Sequence, residues 1–313
     1  MNSRPFYSCK PILSISALAL ALGIEQELLV GTAARANGLY RLAKPITKPD
    51  GSIRQPFDAM GPLKEIHRRI KDRIFSRVVF PYYLTGSLKG KDYRVNAALH
   101  AGARILICED IEGFFPATSA DIIFDIWRNL FGFTNEVATL LTTLTAKDGA
   151  LPQGAIPSSF LANLAFWRDE PALHNQLLEN GIQYSRYVDD ISVSAKRFLD
   201  TAEQSAIIAQ LYGMLMRRAY KAKRRKHETF TSRRRMVTTK LMMNRRPALA
   251  VTERSQIRTA VFQLEQRVSN GERSAELLKE MASVSGRVGK LKGLHRATGT
   301  ALLERVREVR RKL

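Results

Sequence analysis

Tyr187-Val188-Asp189-Asp190 lies between two strand-like runs, and its reading decides the fold. Upstream, Ile182-Gln183-Tyr184-Ser185-Arg186 follows the turn signal Asn180-Gly181; downstream, Ile191-Ser192-Val193-Ser194 alternates apolar with polar at the strand period. The segment predicts a β-hairpin with its acids at the bend. Two adjacent aspartates repel one another, and a cation or a proton between them relieves the cost. A solvated Asp-Asp turn is the plain alternative, which a third carboxylate on a neighbouring strand would displace.

Arg104 to Ile111, RILICEDI, supplies one. This apolar, β-branched run reads as a buried strand that delivers Asp110 at its end and breaks at Gly113 before Phe114-Phe115-Pro116. Magnesium takes hard oxygen ligands and keeps part of its shell for phosphates, so carboxylates on adjacent strands suit a two-metal phosphoryl-transfer site.

Between these acids stands Leu151-Pro152-Gln153-Gly154, a turn that leads into a helical run from Phe160 to Trp167. In order, the DIxxFF strand end, the LPQG turn with its helix and the YVDD hairpin resemble motifs A, B and C of reverse transcriptases. The likeness extends outward. Lys48-Pro49-Asp50-Gly51-Ser52-Ile53-Arg54, followed by Pro62-Leu63-Lys64-Glu65-Ile66, resembles the first fingers motif of the bacterial enzymes. Asn96-Ala97-Ala98-Leu99-His100 is similar to the NAxxH segment of the retron lineage, and Val237 to Asn244 is similar to its VTGxxxN segment, with Thr239 where glycine is usual. The chain thus resembles the retron-type reverse transcriptases.

That resemblance implies an α+β right-hand polymerase: N-terminal helices over 1–35, fingers over 36–103, a palm with an antiparallel sheet over 104–245 that carries a helical insertion at about 119–145, and a helical thumb over 246–313. It also implies site roles. Asp110, Asp189 and Asp190, with the carbonyl of Ile111, would hold two Mg2+ ions. Phe115 would be the steric gate that excludes a ribose hydroxyl, its alternative being core packing. Gln153 would lie beneath the incoming dNTP and template base, while Arg54 and Lys48 would meet the triphosphate. Lys226, in a basic run, is the candidate general acid toward pyrophosphate or a solvated lysine. Thr238 to Asn244 would form the primer grip. Asn96 and His100 belong to the segment expected at the RNA, though a histidine before a buried strand equally fits a hydrogen-bonded structural role.

Composition agrees with a polyanionic partner. Fifty Lys and Arg against 29 Asp and Glu give a formal charge of +21 over 313 residues, and phosphate neutralisation with counterion release supplies much of nucleic-acid affinity. Cys9 and Cys108 are too few for a disulfide framework or a zinc site, as in a reducing cytoplasm. The apolar run Pro11 to Leu22 imitates a secretory segment, but it is short for a membrane span and continues into Glu25, Glu27 and a second apolar stripe. It reads as a packing helix, paired with another from Glu25 to Ala33. Near the C-terminus, Thr252-Glu253 reads as a cap for a helix with Ile257, Val261, Leu264 and Val268 on one face and Asn270-Gly271 as its stop. A last helix carries Leu302, Val306, Val309 and Leu313 on one stripe.

The expected activity is RNA-directed DNA synthesis with no membrane association. The retron likeness further implies a cognate structured noncoding RNA as template and a primer at a guanosine 2′-OH. It implies multicopy single-stranded DNA as product and an effector protein encoded nearby in antiphage defence. No stretch is left for an RNase H or nuclease domain. Two alternatives remain: another defence-associated or intron-derived bacterial reverse transcriptase, and a catalytically idle RNA-binding scaffold.

Overall fold

The computed structural model describes residues 3–47, 51 and 53–313. Its centre is a four-stranded antiparallel sheet of β1 (Ile105–Asp110), β2 (Ile182–Tyr187), β3 (Asp190–Ala195) and β4 (Glu228–Thr231), in the order β4-β1-β3-β2. Strand alternation gives the sheet two unlike faces. Ile105, Ile107, Tyr184, Ile191 and Val193 point into the main core. Cys108, Asp110, Ser185, Asp190, Ser192 and Ser194 occupy the alternate positions, on the opposite face.

The architecture is therefore mixed helix and sheet, as the α+β expectation requires. The hairpin β2–β3 forms with the paired acids at its tip, and its register puts Tyr187 opposite Asp190 and Arg186 opposite Ile191. Helices cover the core face: Ser158–Leu164 and Glu170–Glu179 precede the hairpin, and Thr201–Arg217 follows it behind an Asp200/Glu203 capping box.

The N-terminal apolar runs become two helices, Ile15–Leu22 and Gln26–Ala34, which bury Leu18, Leu22 and Leu29 completely. Ser14 caps the first, and Gly23 ends it in the left-handed region with φ 62°. Among the described residues no single helix is long and apolar enough to cross a membrane; these two pass that test only as a pair bent by 104°.

Three C-terminal helices, Val251–Ser269, Ala275–Leu294 and Arg296–Arg311, enclose a separate core of Ile257, Val261, Leu264, Val288, Leu302 and Val306. Two expectations are corrected here. The first helix begins at Val251 behind Ala250, with no side-chain cap from Thr252 or Glu253. Leu313 lies past the last helix and is exposed rather than part of its buried stripe.

Candidate active site

Asp110 ends β1 and is the register partner of Asp190, the first residue of β3. Asp189 sits in the turn, where its carbonyl accepts from the Ile111 amide at 2.9 Å. Three carboxylates thus converge at one end of the sheet because one strand stops where a hairpin bends. Burial, followed by the negative charge of Asp189 and Asp110, pushes the Asp190 carboxyl up to about 7. Asp189 is also raised, by burial first and then by Asp110, with Arg54 and Lys226 acting against the shift.

Lys226 answers this charge: its Nζ donates to Asp110 Oδ2. Burial works against its ammonium, but the Asp110 hydrogen bond and the three acids hold its pKa above the usual lysine value. The loop that carries Lys226 is pinned alongside β1, since Lys223 N donates to Asp110 O at 2.7 Å and Glu112 N to Lys221 O at 2.8 Å. The next residue, His227, pairs through Nδ1 with the buried Glu109 at 2.7 Å. Successive residues of the loop therefore grip successive acids of β1.

Two cavities meet at Asp110 and Lys226. The smaller, about 290 Å³, is lined also by Arg54, Ile111, Phe115, Gln153 and Asp189. Six of the residues expected around a nucleotide and its metals, with Lys226, therefore share one recess, although they lie as far apart in sequence as Arg54 and Lys226. Gln153 is placed there by its own turn: its carbonyl accepts from Phe57 N at 2.7 Å. Gly154, at φ 104°, lies so close to Phe57 that a Cβ would fall 2.6 Å from that residue's carbonyl oxygen. Phe115 is half-buried at the rim and packs against the core beside the fully buried Phe114. Lys48 lies outside the described residues.

The larger cavity, about 810 Å³, contains Asp190, Tyr187 and Cys108 with Thr238, Thr239 and Lys240. Thr239 and Lys240 form the two-residue turn between the strands Val237–Thr238 and Leu241–Met242, with φ 46° and 67°. Both central residues are left-handed, as a tight hairpin turn of this type requires. Thr239 is held there by its hydroxyl, which donates to Tyr93 O at 3.1 Å.

Asn96, His100 and Thr238, expected at the RNA and the primer, have buried side chains; Thr238 also lines the larger cavity, and for His100 this is the hydrogen-bonded structural alternative. They are 0%, 1% and 4% exposed and belong to one polar network beneath the sheet. His100 bonds Ser194 and Ser185 through its two ring nitrogens at 2.8 and 2.6 Å. Asn96 accepts from Thr85 and Ser185 and donates to Thr238. Burial drives the His100 pKa down to about 3, so it stays neutral. Asn244 is likewise spent on local structure: it accepts from Met236 N and donates to Arg234 O.

Arg186 is the residue that sequence reading missed. Its guanidinium is fully buried beneath the turn. The signal was available: in the alternation Ile182, Tyr184, Arg186, an arginine holds an inward position.

All-oxygen donors, desolvated and short of positive charge, suit a hard divalent cation. Among the described residues no three His, Cys, Asp or Glu close into a ready-made metal cage, so the ladder sets the acids near one another without completing a coordination sphere.

No family model matches the chain. It is 35% identical over 213 residues to the retron Se72 reverse transcriptase of Salmonella heidelberg, which covers 68% of this chain and 56% of that protein. It is 32% identical over 197 residues to the retron Ec48 reverse transcriptase of Escherichia coli, covering 59% and 48%. To the retron Ec86 reverse transcriptase of the same species it is 28% identical over 170 residues, covering 54% and 52%. The chain spans about half the length of the curated relatives it matches. Similarity of this extent to several proteins of one kind makes the chain a member of the retron-type reverse transcriptase family.

Proposed function

We propose that the chain is an RNA-directed DNA polymerase, the reverse transcriptase of a retron. The observation that carries this reading is the recess in which Arg54, Phe115 and Gln153 stand around Asp110 and Asp189. Chemistry of this kind is positioning and charge stabilisation more than covalent work by the protein.

In this reading the sheet is the palm, the segments from residue 36 to 103 are fingers, and the C-terminal helices are a thumb. Asp110, Asp189, Asp190 and the Ile111 carbonyl would hold two magnesium ions, whose chemistry when bound would be activation of the primer hydroxyl and charge stabilisation of the departing pyrophosphate. Arg54 presents a guanidinium fork to the triphosphate. Gln153 supports the base pair being formed. Phe115 presents its ring to the sugar C2′, so that a ribose hydroxyl has no room. Lys226, whose ammonium is held protonated beside Asp110, donates a proton to the pyrophosphate. Duplex leaves through the larger cavity, where Lys240 and Lys290 offer cations to its phosphates.

The resemblance to the retron lineage extends the proposal. The template is part of a cognate noncoding RNA, the primer a guanosine 2′-OH within it, and the product multicopy single-stranded DNA. The protein acts in the cytoplasm with an effector encoded nearby, in antiphage defence.

The test is to purify the protein from a host that carries its native locus and digest the bound nucleic acid with RNase or DNase before sequencing. A discrete DNA joined to RNA, absent when Asp189→Ala and Asp190→Ala are combined, is the expected result. RNA alone, with cellular function intact in that variant, would instead establish a scaffold.

A further inference from the structure

We propose that Arg186 is a positioning residue which ties the acid-bearing turn to the helix that follows Gln153, so that the two move as one body. The inference rests on the polymerase reading and names a residue within that machinery.

Arg186 lies one residue before the YVDD tip, yet its side chain points away from the acids, into the core face of the sheet. There the guanidinium spends its donors on three separate pieces of chain. Nη1 donates to the Val188 carbonyl in the turn at 3.0 Å and, at 3.4 Å, to Ala162 O. Nη2 donates to Asn163 O at 2.9 Å, in the helix Ser158–Leu164 that continues the LPQG turn. Nε and Nη2 form a two-pronged pair with Glu170 at 2.6 and 2.9 Å. Rings of Phe166 and Phe114 lie 5.2 and 5.7 Å from its centre, and Phe114 follows Asp110 on the same strand end. The planar fork thus touches segments from all three acid and turn motifs.

Position, more than stability, is what such a residue supplies. A fully buried ion pair gains little over an apolar pair of the same volume, because desolvation offsets the attraction. The turn beside it is strained: Val188 is β-branched and holds φ 61°, a region such residues avoid. A turn of that kind persists only when its surroundings over-determine it. Three devices do so here. Arg186 holds the Val188 carbonyl from below, and Thr85 N and Tyr83 O bracket the Arg186 backbone at 3.0 and 2.9 Å. From the side, Gly86 presses against Val188 with no space for a Cβ, while its carbonyl accepts from Asn163 Nδ2 at 2.9 Å. Asn163 therefore meets both the guanidinium and the wall of the turn. Lysine cannot replace the fork, since a single ammonium reaches one or two of these acceptors and leaves the others buried and unpaired.

The experiment compares wild type, Arg186→Lys, the pair Arg186→Met with Glu170→Gln, and the remote core control Leu211→Ala, in RNA-templated primer extension normalised to active sites by burst amplitude. The double variant removes both members of the buried ion pair, so no uncompensated charge stays in the core, and the side-chain carbonyl that Glu170→Gln retains still accepts from the Tyr184 hydroxyl. Expected for each folded Arg186 variant is a kcat lower by about tenfold per active site, a raised magnesium half-saturation and an unchanged dNTP KM. The control loses thermal stability with its kcat and magnesium requirement intact. Variants that match the control, with fewer active sites but normal kcat and magnesium dependence, would overturn the positioning role and leave Arg186 a folding residue. Wild type that fails to extend the primer at all would remove the polymerase reading, and this inference with it.

Discussion

Asp110 and Asp190 stand directly opposite one another in the ladder of β1 and β3, on the face of the sheet that opens to both cavities. Two carboxylates at that spacing, with a third in the adjoining turn, make the site unfavourable when all are ionised. Lys226 neutralises Asp110 and leaves the other two acids under-compensated. The charge imbalance lies where the proposed chemistry needs cations.

A pH dependence of stability follows. The folded Asp190 holds its proton up to about 7, whereas an unfolded aspartate releases it at about 4. Between those values the folded state binds more protons, so this group's contribution is greatest below about 4 and is lost as pH rises through about 7. Asp190→Asn should abolish that part of the slope and raise the thermal midpoint at pH 8 by at least about 2 °C, while primer extension ceases. Magnesium should raise the wild-type midpoint more at pH 8 than at pH 6, where it must displace a proton. A wild type and variant with parallel midpoint-against-pH curves would contradict the assignment.

Phe115 is half-buried at the rim of the smaller cavity, and the core beneath it is built from Phe114 stacked on Phe166 at 5.9 Å. Phe115→Ala should therefore fold, lose no more than about 2 kcal/mol because part of the ring is already exposed, and incorporate ribonucleotides at least tenfold more readily relative to dNTPs. Single-nucleotide insertion with matched dNTP and NTP measures this, and unchanged discrimination removes Phe115 from the gate.

The hairpin, the strand ending in Asp110 and the N-terminal helix pair were legible in the sequence because each rests on local periodicity and turn chemistry. Co-location of Arg54, Gln153 and Asp189 was legible only through the resemblance, since no local pattern reports a contact between residues so far apart. The burial of Asn96 and Thr238 was not legible, and that of His100 only as one of two alternatives: polar residues acquire an inward meaning only when partners such as Ser185, Ser192 and Ser194 are set opposite by the sheet register. The helix Ala275–Leu294 escaped for a different reason. Its Gly286, Gly289 and Gly293 dilute the helical signal, and its own core stripe, Leu277 to Leu291, decides the outcome.

Thr239 replaces the family's usual glycine at a left-handed position, and its hydroxyl bond to Tyr93 O is what offsets the strain. Thr239→Gly should keep the turn and change stability by no more than about 1 kcal/mol, relief of strain opposing loss of the hydrogen bond. Thr239→Val, which keeps the branching and removes the hydroxyl, should cost about 1–2 kcal/mol. It should also weaken binding of a primer-template duplex. Chemical denaturation and duplex binding at fixed salt check both; a Thr239→Val protein as stable as wild type would show that the hydroxyl does not hold the turn.

Gly86 gives the sharpest test of how the acids are held. A Cβ there would lie 2.6 Å from both the Val188 amide nitrogen and its Cγ2, and 2.9 Å from the Tyr187 carbonyl carbon. Backbone cannot yield as a flexible side-chain tip does, so Gly86→Ala must push the turn, and Asp189 with it, away from Asp110. The expected outcome is a folded protein whose extension rate falls at least tenfold, since a displacement of about 1 Å is enough for such a loss. Gly31, in the helix Gln26–Ala34, has open space where its Cβ would go. Gly31→Ala should instead stabilise the protein by about 0.5–1 kcal/mol with extension unchanged. Parallel primer-extension and thermal-melt measurements on the two variants separate the effects, and a Gly86→Ala enzyme as fast as wild type would mean that the turn tolerates movement the proposed site does not permit.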